Sequence, residues 1–226
     1  DDFCGAAAAC ALRRALGRLT DWKPGALGAA SDGGSASSSA LRGDLVAWLD
    51  TAEDSGPMGP ALRGWLQRLD ALVAGLRPLL PRRDELANVS AREPPMASCY
   101  PCGAKYIRHY DNNCEAAGEG DCNGRRLSAV YYLNEGLTHA DGGHLRLVGR
   151  CGRAHDILPS SDVLVLFWAD RRTPHEVLPN RGQARYALTC WFVDPSEAPD
   201  APESKIWESL GGGPAVAEGR GAPAVE

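Results

Sequence analysis

The chain has 226 residues, 44% hydrophobic and 23% charged, with a formal net charge of −5. That balance gives one globular domain with at most an appendage, and it excludes wholesale disorder. The 24 basic residues are scattered rather than clustered, which argues against a phosphate-tracking nucleic-acid surface, and no apolar run approaches the roughly 20 residues that span a bilayer.

From the N-terminus, Leu12, Leu16 and Leu19 recur at helical spacing, with Arg13, Arg14 and Arg18 on the polar side. Asp1 and Asp2 stand where a helix start favours anionic side chains. Residues 22–40 carry no apolar stripe and are rich in Gly, Ala and Ser, so a mobile loop is expected there. The run Leu41–Leu49 reads as a strand. A second helix follows Gly59-Pro60. Leu62, Trp65, Leu66, Leu69, Leu72, Val73 and Leu76 form its broad apolar face, and Pro78 and Pro81 end it. From about residue 94 the period shortens. Strands are predicted at 96–101, 104–109, 127–134, 144–148, 154–157, 162–168, 174–178 and 184–193, separated by Gly, Asn, Asp and Pro clusters. Short strands in such number predict a sandwich or jelly roll with the N-terminal helices covering one sheet. Trp65 and Phe167 read as core. After Pro195 the composition collapses to Pro, Gly, Ala and Glu, and a disordered tail is expected from about 211.

The eight cysteines are Cys4, Cys10, Cys99, Cys102, Cys114, Cys122, Cys151 and Cys190. A chain this long does not depend on disulfide staples, so most are expected to be reduced thiols. Cys99-x-x-Cys102 has no second such pair to complete a zinc site. Cys114 and Cys122 bracket a short Gly-rich loop and are the candidate disulfide.

Among five histidines, His109 stands out because Asp111 lies two residues on. In a strand, i and i+2 face the same side, so an imidazole nitrogen and a carboxylate oxygen can meet at one point. His175, on a later predicted strand, is the candidate third ligand. Two His and one carboxylate on one face of a metal leave open positions, the pattern of non-haem Fe(II) oxygenases. Arg185 follows on the last strand, in a run so apolar that its charge needs an anion: a dicarboxylate cosubstrate, or an internal carboxylate such as Asp170. His139, His144 and His155 read as structural or exposed. Glu176 reads as a structural carboxylate, and Arg171 and Arg172 as a solvated or salt-bridged pair.

The chain resembles the 2-oxoglutarate- and Fe(II)-dependent prolyl 4-hydroxylases, specifically the hypoxia-inducible-factor type. The resemblance is carried by Arg42-Gly-Asp-Leu-Val-Ala-Trp48, Met96-Ala-Ser-Cys-Tyr-Pro101, Tyr106-Ile-Arg-His-Tyr-Asp-Asn112, Val130-Tyr-Tyr-Leu-Asn134, Gly142-Gly-His-Leu-Arg146, the run from Val165 through Thr173-Pro-His-Glu-Val177, and Ala184-Arg-Tyr-Ala-Leu-Thr-Cys-Trp191.

It implies an α+β, mainly β fold: a double-stranded β-helix, or jelly roll, with supporting N-terminal helices. The catalytic domain would run over 1–194, with 22–40 as a substrate finger and 195–226 as an extension. His109, Asp111 and His175 are then the iron ligands. Arg185 and Tyr132 would take the distal carboxylate of 2-oxoglutarate, and Tyr100, Tyr106, Thr189 and Trp191 would line its pocket. Arg42, Asp44, Trp48 and Arg125 fall on the substrate side, with Arg126 an alternative to Arg125. The loop 112–124 and the stretch from His175 to Arg185 are both longer than the family pattern.

The implied reaction is 4-hydroxylation of a proline in a protein or peptide, with O2 and 2-oxoglutarate converted to succinate and CO2 and with ascorbate as accessory reductant. Hydroxylation of another residue or a small molecule, and a non-catalytic proline-peptide module, stay open as alternatives. Arg185 in place of the Lys usual in secretory collagen-type enzymes favours the intracellular, oxygen-sensing type. A monomer in the cytoplasm is expected, with the nucleus open and, since the sequence starts at Asp1, a removed secretory leader open as well.

Overall fold

In a computed structural model the described residues are 2–26, 41–50, 58–80, 86–114, 122–197 and 208–209. Most of the predicted finger, 27–40, and the tail from 210 lie outside them. Helix α1 spans Ala6–Leu16 and helix α2 Gly59–Leu76. Before α2 come two short strands, β1 (Lys23–Pro24) and β2 (Leu45–Trp48). After it run β3 (Ala91–Arg92), β4 (Met96–Tyr100), β5 (Tyr106–His109), β6 (Arg125–Tyr132), β7 (Leu145–Val148), β8 (Ala154–Ile157), β9 (Val163–Trp168), β10 (His175–Val177), β11 (Arg185–Val193) and β12 (Glu208–Ser209).

Two antiparallel sheets form the jelly roll. In the larger, β11 is central: β4 and then β2 and β1 lie on one side, with β3 and β12 beside its C-terminal end, and β6 and β9 on the other. The smaller sheet has the order β5-β10-β7-β8. No helix among the described residues is long and apolar enough to cross a membrane.

Strands β6 and β11 are buried on both faces, which explains their nearly continuous apolar sequences. Alternate residues go to opposite sides. Leu127, Ala129 and Tyr131 of β6, and Leu188, Cys190 and Phe192 of β11, pack under the helices with Leu12, Leu16, Leu62, Trp65, Leu69 and Val73. Trp65 stacks on Tyr131, ring centres 5.9 Å apart. Val130, Tyr132 and Ala187 face the other way and meet Leu145 and Phe167 between the sheets. Tyr132 of the predicted site lies on this inner side.

Three local expectations change. Lys23 and Pro24 pair with Leu45 and Val46, so the first residues of the predicted loop are strand. The Leu41–Leu49 strand is shorter, with Arg42 making only an isolated bridge to Tyr106. Helix α1 starts at Ala6 with no acidic residue in its first turn. The carboxylate at that end comes instead from Asp162, buried in the turn before β9, which accepts the amides of Cys4 and Gly5 at 2.7 Å each. Asp162 also accepts the Tyr131 hydroxyl at 2.6 Å. Asp162 has φ of 61°, a conformation Asp tolerates better than most residues.

Candidate active site

The smaller sheet sets the metal-ligating cluster. His175 opens β10 directly opposite His109, the last residue of β5. Asp111 lies beyond the strand, where its amide donates to the Ala169 carbonyl at 2.9 Å. Its Oδ1 is 3.7 Å from His109 Nε2 and 3.6 Å from His175 Nε2. These are the only His, Cys, Asp or Glu side chains among the described residues grouped closely enough, three or more together, to hold one ion.

Backbone carbonyls fix both rings. His109 Nδ1 is 2.8 Å from Ile107 O, and His175 Nδ1 is 3.1 Å from Thr173 O. A carbonyl only accepts, so each Nδ1 carries the proton and each Nε2 presents its lone pair to the cluster. Burial, helped by His175, pushes the His109 imidazole down to about 4. Burial opposes ionisation of Asp111, but His175 and His109 outweigh it and hold the carboxyl far below the usual range. For His175 burial pulls down, yet Asp111 wins and the imidazole is raised. The cluster is thus a carboxylate that draws a cation to two imidazoles. A nitrogen–nitrogen–oxygen donor set of this kind suits Fe(II).

Behind it lies a buried cation. Arg185 is 2% exposed, and no carboxylate pairs with it among the described residues. Its Nε and the Tyr132 hydroxyl are buried without a hydrogen-bond partner. Asp170, the internal alternative, is taken by Arg172 at 2.6 Å. The guanidinium carbon lies 4.8 Å from the Tyr100 ring centre and 5.0 Å from that of Tyr132. Burial raises both phenols, Tyr132 to about 12, so both stay neutral donors at neutral pH. Gly143, at φ 65°, backs the arginine stem; a Cβ there would come within 3.2 Å of Arg185 Cδ. Orphaned donors around a buried guanidinium match a carboxylate ligand such as the far end of a dicarboxylic 2-oxo acid.

The remaining predicted residues divide. Tyr106 stacks on His109 with ring centres 3.7 Å apart. Thr189 and Trp191 are buried at alternate positions of β11 with Arg185, and the Trp191 indole N–H is unpartnered. Arg42 and Asp44 pair with each other at 2.6 and 3.0 Å, with Asp44 buried. Arg42 also lies over the Tyr106 ring. Arg125 is held by Glu93 through two bonds of 2.7 and 2.6 Å and covers Trp191 at 3.7 Å. Arg126 instead pairs with Glu197. Trp48, beside Trp191, is 53% exposed. Of the substrate-side set, it is the side chain that presents a large apolar surface to solvent.

Several supporting residues escaped the sequence reading. Ser128 donates to Asp111 Oδ2 at 2.6 Å. Asn180, buried, donates to the carbonyls of Tyr100 and Gln183, tying the turn before β11 to the cosubstrate side. Glu93 is the Arg125 partner. Ser128 was findable by parity, four residues before Tyr132 on the same strand face; Asn180 and Glu93 depend on contacts remote in sequence. His139 and His144 bond to each other at 2.9 Å, away from the cluster, and His155 is exposed. Glu176 bridges Arg108 and Arg146. Cys114 and Cys122 form a disulfide, while Cys99 and Cys102 are free.

A jelly roll with a His-Asp-His cluster and a buried arginine behind it defines an Fe(II)- and 2-oxoglutarate-dependent oxygenase, and residues 95–193 match the model of the 2OG-Fe(II) oxygenase superfamily. The chain belongs to that superfamily and is related to its prolyl hydroxylases. Prolyl hydroxylase EGLN3 of Homo sapiens is 35% identical over 165 residues, 71% of this chain and 62% of that protein. A Trichoplax adhaerens prolyl hydroxylase, solved with a peptide fragment of the hypoxia-inducible-factor oxygen degradation domain, superposes with a TM-score of 0.72. It is 30% identical, over 90% of this chain and 86% of that one. A Pseudomonas putida prolyl-4-hydroxylase gives 0.61 and 32%, over 83% and 84%. The chain spans less than two thirds of the curated relatives it matches.

Proposed function

We propose that the chain hydroxylates C4 of a proline in an extended protein segment, with O2 and 2-oxoglutarate as cosubstrates. The observation that carries this reading is Arg185, a buried cation with no carboxylate partner among the described residues, set on the same side of the fold as the His-Asp-His cluster. His109, Asp111 and His175 would hold the iron. Arg185 and the neutral Tyr132 phenol would bind the distal carboxylate of 2-oxoglutarate, with Tyr100 alongside. When bound, Fe(II) and 2-oxoglutarate supply the oxidation chemistry: proline, O2 and 2-oxoglutarate go to hydroxyproline, succinate and CO2.

The protein's own work is positional. The two Nδ1–carbonyl bonds fix the tautomer of each imidazole and aim its Nε2. Trp191 and Phe167, whose ring centre is 4.6 Å from that of His175, keep water from the inner side of the cluster. No protein side chain is required as a general acid or base. The proline assignment is supported by the prolyl hydroxylase relatives and by the exposed Trp48 ring at the rim, an apolar face on which a pyrrolidine can pack.

Incubating the protein with Fe(II), 2-oxoglutarate, ascorbate and a library of proline-containing peptides, followed by mass spectrometry, tests it. The expected result is one oxygen gained on proline, matched by succinate. Oxygen gained on another residue or on a small molecule, or no peptide-dependent turnover, would overturn the assignment.

A further inference from the structure

Asp111 has two oxygens, and the structure uses them differently. Oδ1 faces the Nε2 atoms of His109 and His175 at 3.7 and 3.6 Å. Oδ2 accepts the Ser128 hydroxyl at 2.6 Å, a short charge-assisted bond. Ser128 lies mid-strand in β6 and is fully buried, with no solvent to compete for its hydroxyl. The Asp111 backbone is pinned at both ends: its amide donates to Ala169 O at 2.9 Å, and its carbonyl accepts from Asn123 Nδ2 at 2.8 Å. With the backbone held, the carboxylate can still turn about its two side-chain bonds, and among the described residues Ser128 is the hydroxyl that opposes it.

We propose that Ser128 is a positioning residue that restricts Asp111 to one ligating oxygen, so that the metal keeps the coordination position a chelating cosubstrate needs. The inference rests on the Fe(II)/2-oxoglutarate reading of the site. Two imidazoles and one carboxylate oxygen leave three of six positions on a six-coordinate metal, two for the 2-oxo acid and one for O2. A carboxylate binding through both oxygens consumes one of those three. Without the Ser128 bond, Oδ2 loses its partner and the metal is the nearest cation to replace it.

The prediction is therefore selective. In Ser128→Ala the protein binds Mn(II) within a few-fold of wild type, because all three ligands remain, whereas 2-oxoglutarate binds the Mn(II)-loaded variant about 10- to 100-fold more weakly, the size that outer-shell partners typically contribute to metal affinity or activity falling here on the cosubstrate. Ser128→Thr, which keeps the hydroxyl, restores it. Anaerobic isothermal titration of Mn(II), then of 2-oxoglutarate onto the loaded protein, reads both constants without turnover, and circular dichroism melts report the fold. An Ala variant with wild-type 2-oxoglutarate affinity would refute the role. Parallel loss of Mn(II) binding, 2-oxoglutarate binding and melting temperature would also refute it, as a merely structural effect. If the Mn(II)-loaded wild type itself does not bind 2-oxoglutarate, the underlying reading fails, an outcome the 2-oxoglutarate titration of the wild type distinguishes from failure of the Ser128 role alone.

Discussion

Replacing Arg185 by methionine separates a binding cation from a structural one. In the ligand-free protein the guanidinium is buried without an anion among the described residues, which carries an effective penalty of several kcal/mol. The rings of Tyr100 and Tyr132 return part of it, at about 2 kcal/mol for each such desolvated contact. Methionine fills similar volume with no charge to desolvate, so the ligand-free Arg185→Met protein is expected to melt no lower than wild type. The cosubstrate, in contrast, loses the partner of its buried carboxylate. Removing one member of a buried pair costs about 3–5 kcal/mol, and at about 1.4 kcal/mol per factor of ten that is roughly two to three and a half powers of ten in Kd. Titration calorimetry with Mn(II) and 2-oxoglutarate gives the affinities. Scanning calorimetry with and without 2-oxoglutarate gives the stabilities, because a ligand that binds only the native state raises Tm according to its concentration over Kd. Iron-site affinity should stay near wild type, since Arg185 is on a different sheet from the two histidines. If the variant melted lower and still bound 2-oxoglutarate normally, Arg185 would be a structural cation and the carboxylate assignment would be wrong.

The sequence disclosed the fold well where one physical rule dominated. Short apolar and aromatic runs between turn clusters over 96–193 marked eight strands, all present with shifts of one or two residues; in the well-buried ones a slip would turn a packed face to water, whereas β8, largely exposed, is placed by its pairing with β7. The i, i+2 spacing of His109 and Asp111 pointed to the right pair for an incomplete reason. Asp111 has left β5, and it reaches the histidines because its amide bonds to Ala169 beyond β9. What the sequence hid was partner choice among charges. Arg42 and Asp44, two residues apart, obey the same i, i+2 rule, but Arg125 taking Glu93 and Arg126 taking Glu197 depend on side chains remote in sequence, and composition carries no trace of that. The same holds at the N-terminus. Two aspartates precede α1 in sequence, yet the carboxylate that serves its first amides arrives from residue 162.

Two further predictions follow from such hidden contacts. Gly25 donates its amide to Asp44 O at 2.9 Å and lies flush against the Arg42–Asp44 pair, where any Cβ would overlap the Arg42 Nε and the Asp44 carboxylate. Gly25→Ala is therefore expected to lose about 1–3 kcal/mol, the usual cost of overpacking, measurable as a lower urea midpoint; an unchanged midpoint would show that the pair can shift at no cost. Asp162→Ala removes the acceptor of two amides and of the Tyr131 hydroxyl at one buried point. Each orphaned donor costs about 1–3 kcal/mol if it stays buried. The amides of Cys4 and Gly5 can escape to water by releasing the chain end, but Tyr131, fully buried under Trp65, cannot. The expected result is thus uneven: amide hydrogen exchange accelerates through residues 2–16 far more than in β6, while global stability falls by about one orphaned hydroxyl rather than three donors. Equal loss of protection in α1 and β6 would mean that the N-terminal segment and the jelly roll unfold as one unit, with Asp162 no longer a local clasp between them.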